Sequence, residues 1–75
     1  MSTGKTSPTS ASAISRLIRD KFPHEQHMMV ADTAHGVRLN VDAGLLHEVD
    51  VFLREQNYVV ELHGSSLWIS GRRDL

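Results

Sequence analysis

One stretch of the sequence recurs at an offset of 30 residues, and this echo constrains the fold more than any other feature. Residues 20–30 (DKFPHEQHMMV) align with residues 50–60 (DVFLREQNYVV), with five identities in 11 positions. The identical pairs are Asp20/Asp50, Phe22/Phe52, Glu25/Glu55, Gln26/Gln56 and Val30/Val60. A repeated supersecondary unit that cannot bury its apolar face alone needs a neighbour to pack against. The echo therefore favours two similar halves within one domain.

The first half has the pattern of a helix followed by two strands. The apolar residues of the helix lie on one face and are Ile14, Leu17, Ile18 and Phe22. Ser12 is a suitable N-cap, and Pro23 ends the helix because the residue before a proline avoids the α region. Residues 28–41 then alternate between apolar and polar positions around a turn at residues 34–36, which predicts a hairpin.

The second half repeats this order. Asp42 is expected to cap a helix whose apolar face contains Leu45, Leu46, Val49, Phe52 and Leu53. Residues 58–63 and 67–70 predict a second hairpin around residues 64–66. The sequence therefore predicts an α+β fold of order αββαββ, with a four-stranded antiparallel sheet and both helices on one face. If the repeat is real, residues 13–41 should superpose on residues 44–71 as an αββ pseudo-repeat.

The length of 75 residues accommodates one domain with a small core. Residues 1–12 contain Ser, Thr, Gly, Pro and Ala without apolar periodicity, so we expect a disordered N-terminal tail. The compact domain is predicted to span residues 13–71, and residues 72–75 to form a C-terminal tail. Because a core of this size is marginal without disulfides and the chain has no cysteine, a second subunit is the expected source of further burial.

Charge and hydropathy limit the class of protein. No apolar run approaches the roughly 20 residues that span a bilayer, so we expect a cytoplasmic protein without a membrane partner. The net charge is −1, but residues 1–41 carry five basic and three acidic groups, whereas residues 42–75 carry three basic and six acidic groups. Halves of opposite sign can attract each other within one chain or between two copies.

The sequence contains few groups arranged for chemistry. His24 and His27 flank a glutamate, but a proline interrupts the segment and the echo replaces them with Arg54 and Asn57. We therefore interpret them as a polar connection between helix and strand and predict no metal site, since zinc needs three or four converging ligands. No nucleophile elbow, paired-carboxylate motif or phosphate cradle is present. We predict no catalytic residues, no cofactor and no enzymatic activity.

The sheet face away from the helices is the best candidate for function. Alternation places nine residues on it: Met29, Ala31, Arg38, Asn40, Val59, Glu61, His63, Trp68 and Ser70. A lone tryptophan beside aliphatic side chains is typical of partner surfaces. The predicted partner-binding residues are Met29, Arg38, Val59 and Trp68. Arg38 and Trp68 are equivalent in the repeat, so we expect them to lie close together as a cation–aromatic pair.

Two partner classes fit this face. The first is a protein, most simply a second copy of the chain, which would make the domain a self-associating interaction or regulatory module. The alternative is a small nucleic-acid-binding regulator that stacks bases on Trp68 and contacts phosphates through Arg38, Arg72 and Arg73. The near-neutral charge and the single outward aromatic residue favour the protein partner.

Overall fold

A computed structural model describes residues 6–25 and 27–73. Their elements are, in chain order, β1 (Thr6–Ser7), α1 (Ala11–Lys21), β2 (Met29–Thr33), β3 (Gly36–Asn40), a 3-10 turn (Ala43–Leu45), α2 (Leu46–Glu55), β4 (Tyr58–His63) and β5 (Ser66–Arg73). The predicted α+β fold of order αββαββ is confirmed. The short strand β1 is an addition to it.

The two helices begin in different ways. The Ser10 side chain caps α1 by accepting a hydrogen bond from the Ala13 N–H at 3.2 Å, so the helix begins before the predicted cap at Ser12. The chain enters α2 through the 3-10 turn, and Asp42 makes no side-chain cap hydrogen bond. The predicted capping role of Asp42 is therefore wrong. Its backbone N–H is instead held by a carboxylate from the first half of the chain.

That carboxylate belongs to Glu25, in the connection between α1 and β2. Its two oxygens accept hydrogen bonds from the backbone N–H groups of His27 and Asp42, each at 3.0 Å. The α1–β2 connection is thereby tied to the segment that leads from β3 into α2. Glu55, the residue that matches Glu25 in the echo, is the exposed last residue of α2. The shared glutamate thus has different surroundings in the two halves.

The sheet is antiparallel, and its main order is β4–β5–β3–β2. The long strand β5 is central, because it pairs with β4 along one side and with β3 and then β1 along the other. The β4–β5 ladder has an irregularity between Val59 and Val60. Such irregularities bend a strand and increase its twist, which fits a curled sheet.

The core lies between the helices and one face of this sheet. Its buried residues are aliphatic: Ile14 and Ile18 from α1, Val49 and Leu53 from α2, and Val37, Leu39, Val60, Leu67 and Ile69 from the sheet. The strand residues among them alternate with more exposed ones, so both helices cover the same face. The predicted helix stripes and strand faces account for all nine residues.

The two hairpins share one register. Ala31 pairs with Arg38 in the first, and 30 positions later Glu61 pairs with Trp68 in the second. The helices do not keep this offset, because α1 at 11–21 would correspond to 41–51, whereas α2 spans 46–55. The pairings of the two hairpins match from Val30 and Val60 onward, whereas the helices are shifted, and superposition of the complete αββ units stays a prediction.

The structure also differs from the predicted terminal tails at the two ends of the described chain. Residues 1–5 of the predicted disordered tail lie outside the described residues, but Thr6 and Ser7 pair with Arg73 and Arg72. This pairing satisfies backbone groups without burying apolar side chains, so apolar periodicity does not indicate it. The predicted C-terminal tail, residues 72–75, begins within β5, and residues 74–75 lie outside the described part.

Candidate functional site

The face of the sheet opposite the helices, called the outer face below, carries two rows of side chains that cross the four main strands. The first row contains Ala31, Arg38, Trp68 and Glu61, from β2, β3, β5 and β4 respectively. The second row contains Met29, Asn40, Ser66 and His63 in the same strand order. Side chains directly opposite each other on neighbouring strands have Cβ atoms about 4.5–5.5 Å apart, so each row is a line of neighbours.

The structure brings together two of the four residues predicted to bind a partner. Arg38 and Trp68 lie directly opposite each other on β3 and β5. Met29 lies on the edge strand β2 and is 67% exposed. Val59 lies on the opposite edge strand, β4, and is half-buried. Met29 and Val59 therefore flank the outer face from its two edges and do not join the central pair.

Trp68 has a polar aromatic neighbour on β4. The His63 ring meets the indole edge to face, with ring centroids 6.4 Å apart and an interplanar angle of 89°. The His63 Nε2 atom lies 3.0 Å from the Glu61 Oε1 atom, and both side chains are exposed. Glu61 is also directly opposite Trp68 in the ladder. Trp68 is thus held on one side by a histidine–glutamate pair.

A shallow groove of about 430 Å³ opens beside the indole ring. Its walls are formed by Trp68, Glu61, His63, Ser70 and by His35 from the turn of the first hairpin. Alternation placed Glu61 and His63 on this face without marking them as site residues. Their register with Trp68 follows from the tight turn at residues 64–65, which is a usable signal. His35 has no comparable signal in the sequence.

Charges of opposite sign flank Trp68 within the first row. The Arg38 side chain is exposed on the β3 side, and the Glu61 carboxylate lies on the β4 side. The predicted cation–aromatic pair of Arg38 and Trp68 is wrong: within residues 6–25 and 27–73 the cation–aromatic contact is that of Lys21 over Phe52. The indole contacts His63 instead, while Arg38 remains in solvent.

Polar contacts order the second row. The Ser66 hydroxyl donates a hydrogen bond to the Asn40 side-chain oxygen, which links β5 to β3. Both residues are partly buried, so this bond fixes the centre of the row. The outer face is therefore a mixed surface that carries both apolar residues and paired polar groups.

Arg72 and Arg73, proposed for phosphate contacts, lie at the far end of β5, beyond the irregularity in its pairing with β4. They pair there with Ser7 and Thr6. Arg73 lines a separate small groove together with Arg54 and Tyr58. Neither arginine lines the groove beside Trp68. The four residues of the nucleic-acid hypothesis therefore do not form one surface patch around Trp68.

The structure adds two observations about other classes of function. Among the residues that it describes, no group of three or more histidine, aspartate or glutamate side chains is arranged to hold a metal ion. No helix within the described ranges is long and apolar enough to cross a membrane.

Comparison with known proteins adds no relative, since no protein-family model, curated protein sequence or solved structure significantly matches the chain.

Proposed function

We propose that this chain is a non-catalytic interaction or regulatory module that binds a second copy of itself through the outer face around Trp68. The observation that carries the proposal is the uncovered first row, in which a half-buried tryptophan lies between an arginine and a glutamate. Both helices pack on the opposite face, so no described element shields this row.

A second copy is favoured because the first row is complementary to the same row of another molecule when that row runs in the opposite direction. Two sheets can meet face to face around a twofold axis that runs along the strands between β3 and β5. Each row then lies over the same row of the second copy with the strand order inverted. Arg38 therefore faces Trp68 of the second copy, and Ala31 faces its Glu61. A cation over an indole contributes about 0.5–2 kcal/mol, and this arrangement forms the contact twice. An axis across the strands would instead place Arg38 against Arg38.

The size of the outer face predicts weak association. Four strands about 4.8 Å apart and five residues about 3.3 Å apart give a flat area of roughly 300 Å². A stable interface buries about 800 Å² of accessible surface on each partner, so this face is well below the standard size. We therefore expect a weak, concentration-dependent monomer–dimer equilibrium.

Sedimentation equilibrium over a range of concentrations tests the proposal. Trp68→Ala should weaken the dimer at least about tenfold, because large aromatic residues at the centre of an interface contribute most to binding. Val51→Ala is a matched control, since Val51 is an exposed apolar residue, 40% accessible, on α2. A wild-type chain that stays monomeric at about 1 mM, or a Trp68→Ala dimer of unchanged affinity, would refute self-association through this face.

The second candidate is a nucleic-acid-binding regulator, favoured by the half-buried Trp68 directly opposite the exposed Arg38 in the β3–β5 ladder. The adjacent Glu61 carboxylate and the distant position of Arg72 and Arg73 weaken it. Fluorescence of Trp68 distinguishes the two on addition of a single-stranded oligonucleotide. Binding that weakens steeply with salt supports this candidate, because phosphate contacts release counterions. An unchanged spectrum with oligonucleotide, together with concentration-dependent dimerisation, supports the protein partner.

A further inference from the structure

The two edges of the sheet differ in how well they are protected against the addition of another strand. On β4 the Arg54 guanidinium donates a hydrogen bond from Nη2 to the Val60 carbonyl at 2.8 Å, and the ladder is irregular beside Val59. Side chains over a strand and irregular pairing both hinder strand addition. Among the described residues β2 pairs only with β3, and its ladder is regular over all five residues. The β2 edge is therefore the open one.

The open edge borders a groove, called the edge groove below. It lies between α1 and β2 and has a volume of about 790 Å³. Arg16 and Arg19 line its helix side, and Met28, Met29 and Val30 line its strand side. In an antiparallel ladder every second residue turns its N–H and C=O away from its partner strand. The edge groove thus combines free backbone groups with an apolar wall and two cations.

The charge of the edge groove is positive. Arg16 and Arg19 are exposed, and the ion pairs within the described residues, Arg54–Asp50 and His63–Glu61, do not involve them. Asp32 is the acidic residue on β2, and its carboxylate accepts a hydrogen bond from the Ala11 N–H at 2.8 Å at the start of α1. The two arginines therefore face the groove without a neutralising partner among these residues.

We propose that the edge groove binds an extended acidic peptide segment, which pairs with β2 as an additional antiparallel or parallel strand. Strand addition obtains affinity from main-chain hydrogen bonds and specificity from alternate side chains. The five residues of β2 match a ligand segment of about five residues. Side chains of the added strand that point toward α1 would meet Arg16 and Arg19, and those between them would lie on the outer-face side beside Met29.

The spacing of the arginines defines the preferred ligand. Arg16 and Arg19 are three positions apart on α1, so their Cβ atoms are about 5–6 Å apart. Alternate residues of an extended strand are about 6.6 Å apart on the same face. Acidic residues at every second position, separated by aliphatic ones, therefore match both the arginines and the apolar wall. Acidic residues in an uninterrupted block would leave half of their charges directed away from α1.

The test uses a fluorescein-labelled peptide of alternating valine and glutamate, seven residues long, and a peptide of identical composition in which the glutamates form one block. Fluorescence polarisation should show that the alternating peptide binds at least about tenfold more tightly than the block peptide. The double variant Arg16→Glu/Arg19→Glu should lose at least about tenfold in affinity for the alternating peptide. Arg38→Glu reverses a positive charge on the outer face and should leave peptide binding unchanged.

Amide hydrogen exchange gives a readout that simple charge attraction would not produce. The peptide should slow the exchange of every second amide of β2 and leave the amides of β4 unchanged. Lack of binding at about 1 mM, affinity independent of the two arginines, or protection of β4 would overturn the proposal. So would β2 amides that become protected as the protein concentration rises without peptide, because a second copy would then occupy the edge.

This inference is independent of association through the outer face. Trp68→Ala is expected to abolish most dimerisation and to keep full affinity for the peptide, since Trp68 does not line the edge groove. A chain that dimerises but does not bind the peptide refutes the edge site alone. A chain that binds the peptide but remains monomeric refutes the outer-face proposal alone.

Discussion

Replacing Glu25 with glutamine is expected to destabilise the fold although it removes no apolar contact. The carboxylate accepts one N–H group at each oxygen, from His27 and Asp42, both at 3.0 Å. A glutamine side chain has one acceptor oxygen, so one N–H loses its partner and faces an NH₂ group instead. Hydrogen bonds to charged groups contribute about 1.5–3 kcal/mol, and because both N–H groups belong to exposed residues, water reduces the loss to about 1–2 kcal/mol.

Thermal and urea denaturation followed by circular dichroism measure this loss. For a domain of this size 1 kcal/mol corresponds to about 4–8 °C, so Tm should fall by roughly 5–15 °C. Glu55→Gln is the matched control, because Glu55 is the equivalent residue of the echo and is exposed at the end of α2; its effect should stay within about 0.5 kcal/mol. Equal shifts for both variants, or no shift for Glu25→Gln, would refute the role assigned to Glu25.

Three further substitutions test two close approaches of the backbone at glycine residues and one buried core residue. Gly36→Ala should cost more than about 2 kcal/mol in urea unfolding, because Gly36 has φ +126° and an added methyl group would meet the Ile69 carbonyl; an unchanged midpoint would contradict this close approach. Gly71→Ala should displace β1 and leave the core intact, because its methyl group would lie 2.7 Å from the Thr6 Cγ2 atom and also against the Ser7 carbonyl; nuclear magnetic resonance should show shifted Thr6 and Ser7 signals, and shifts spread through the core would refute it. Leu39→Ala should cost about 2–5 kcal/mol, since Leu39 is fully buried; a loss below about 1 kcal/mol in chemical denaturation would place Leu39 outside the core.

Apolar periodicity accounts for most of the fold. The helix stripe containing Ile14 and Ile18 and the alternation around Val37 and Leu39 predict which faces are buried, because burial requires contiguous apolar surface. The strand β1 depends on backbone pairing with a strand more than 60 positions away, so local sequence does not indicate it. The predicted cap at Asp42 was wrong because the chain enters α2 through a 3-10 turn, and the Asp42 side chain makes no cap hydrogen bond.

The two candidate sites also differ in how far the sequence predicts them. The echo makes Arg38 and Trp68 equivalent and predicts that they lie close together, and the β3–β5 ladder places them directly opposite each other. The edge groove could not be predicted, since it depends on where α1 lies relative to β2 and on Arg54 protecting the other edge. Sequence patterns identify the faces of a sheet more readily than its edges.

The pairing of Thr6 with Arg73 has a consequence for the order in which the molecule assembles and opens. The two hairpins join residues that are close in the chain, whereas the β1–β5 contact closes a loop of almost the whole domain. Contacts between distant residues carry the largest loop-closure entropy, so we expect β1 to dock after the hairpins have formed. Because β1 contributes only two residues, it should also detach first, as a local opening far less costly than global unfolding. A protease that cleaves near Ser7 would then act on native molecules whose core is still closed.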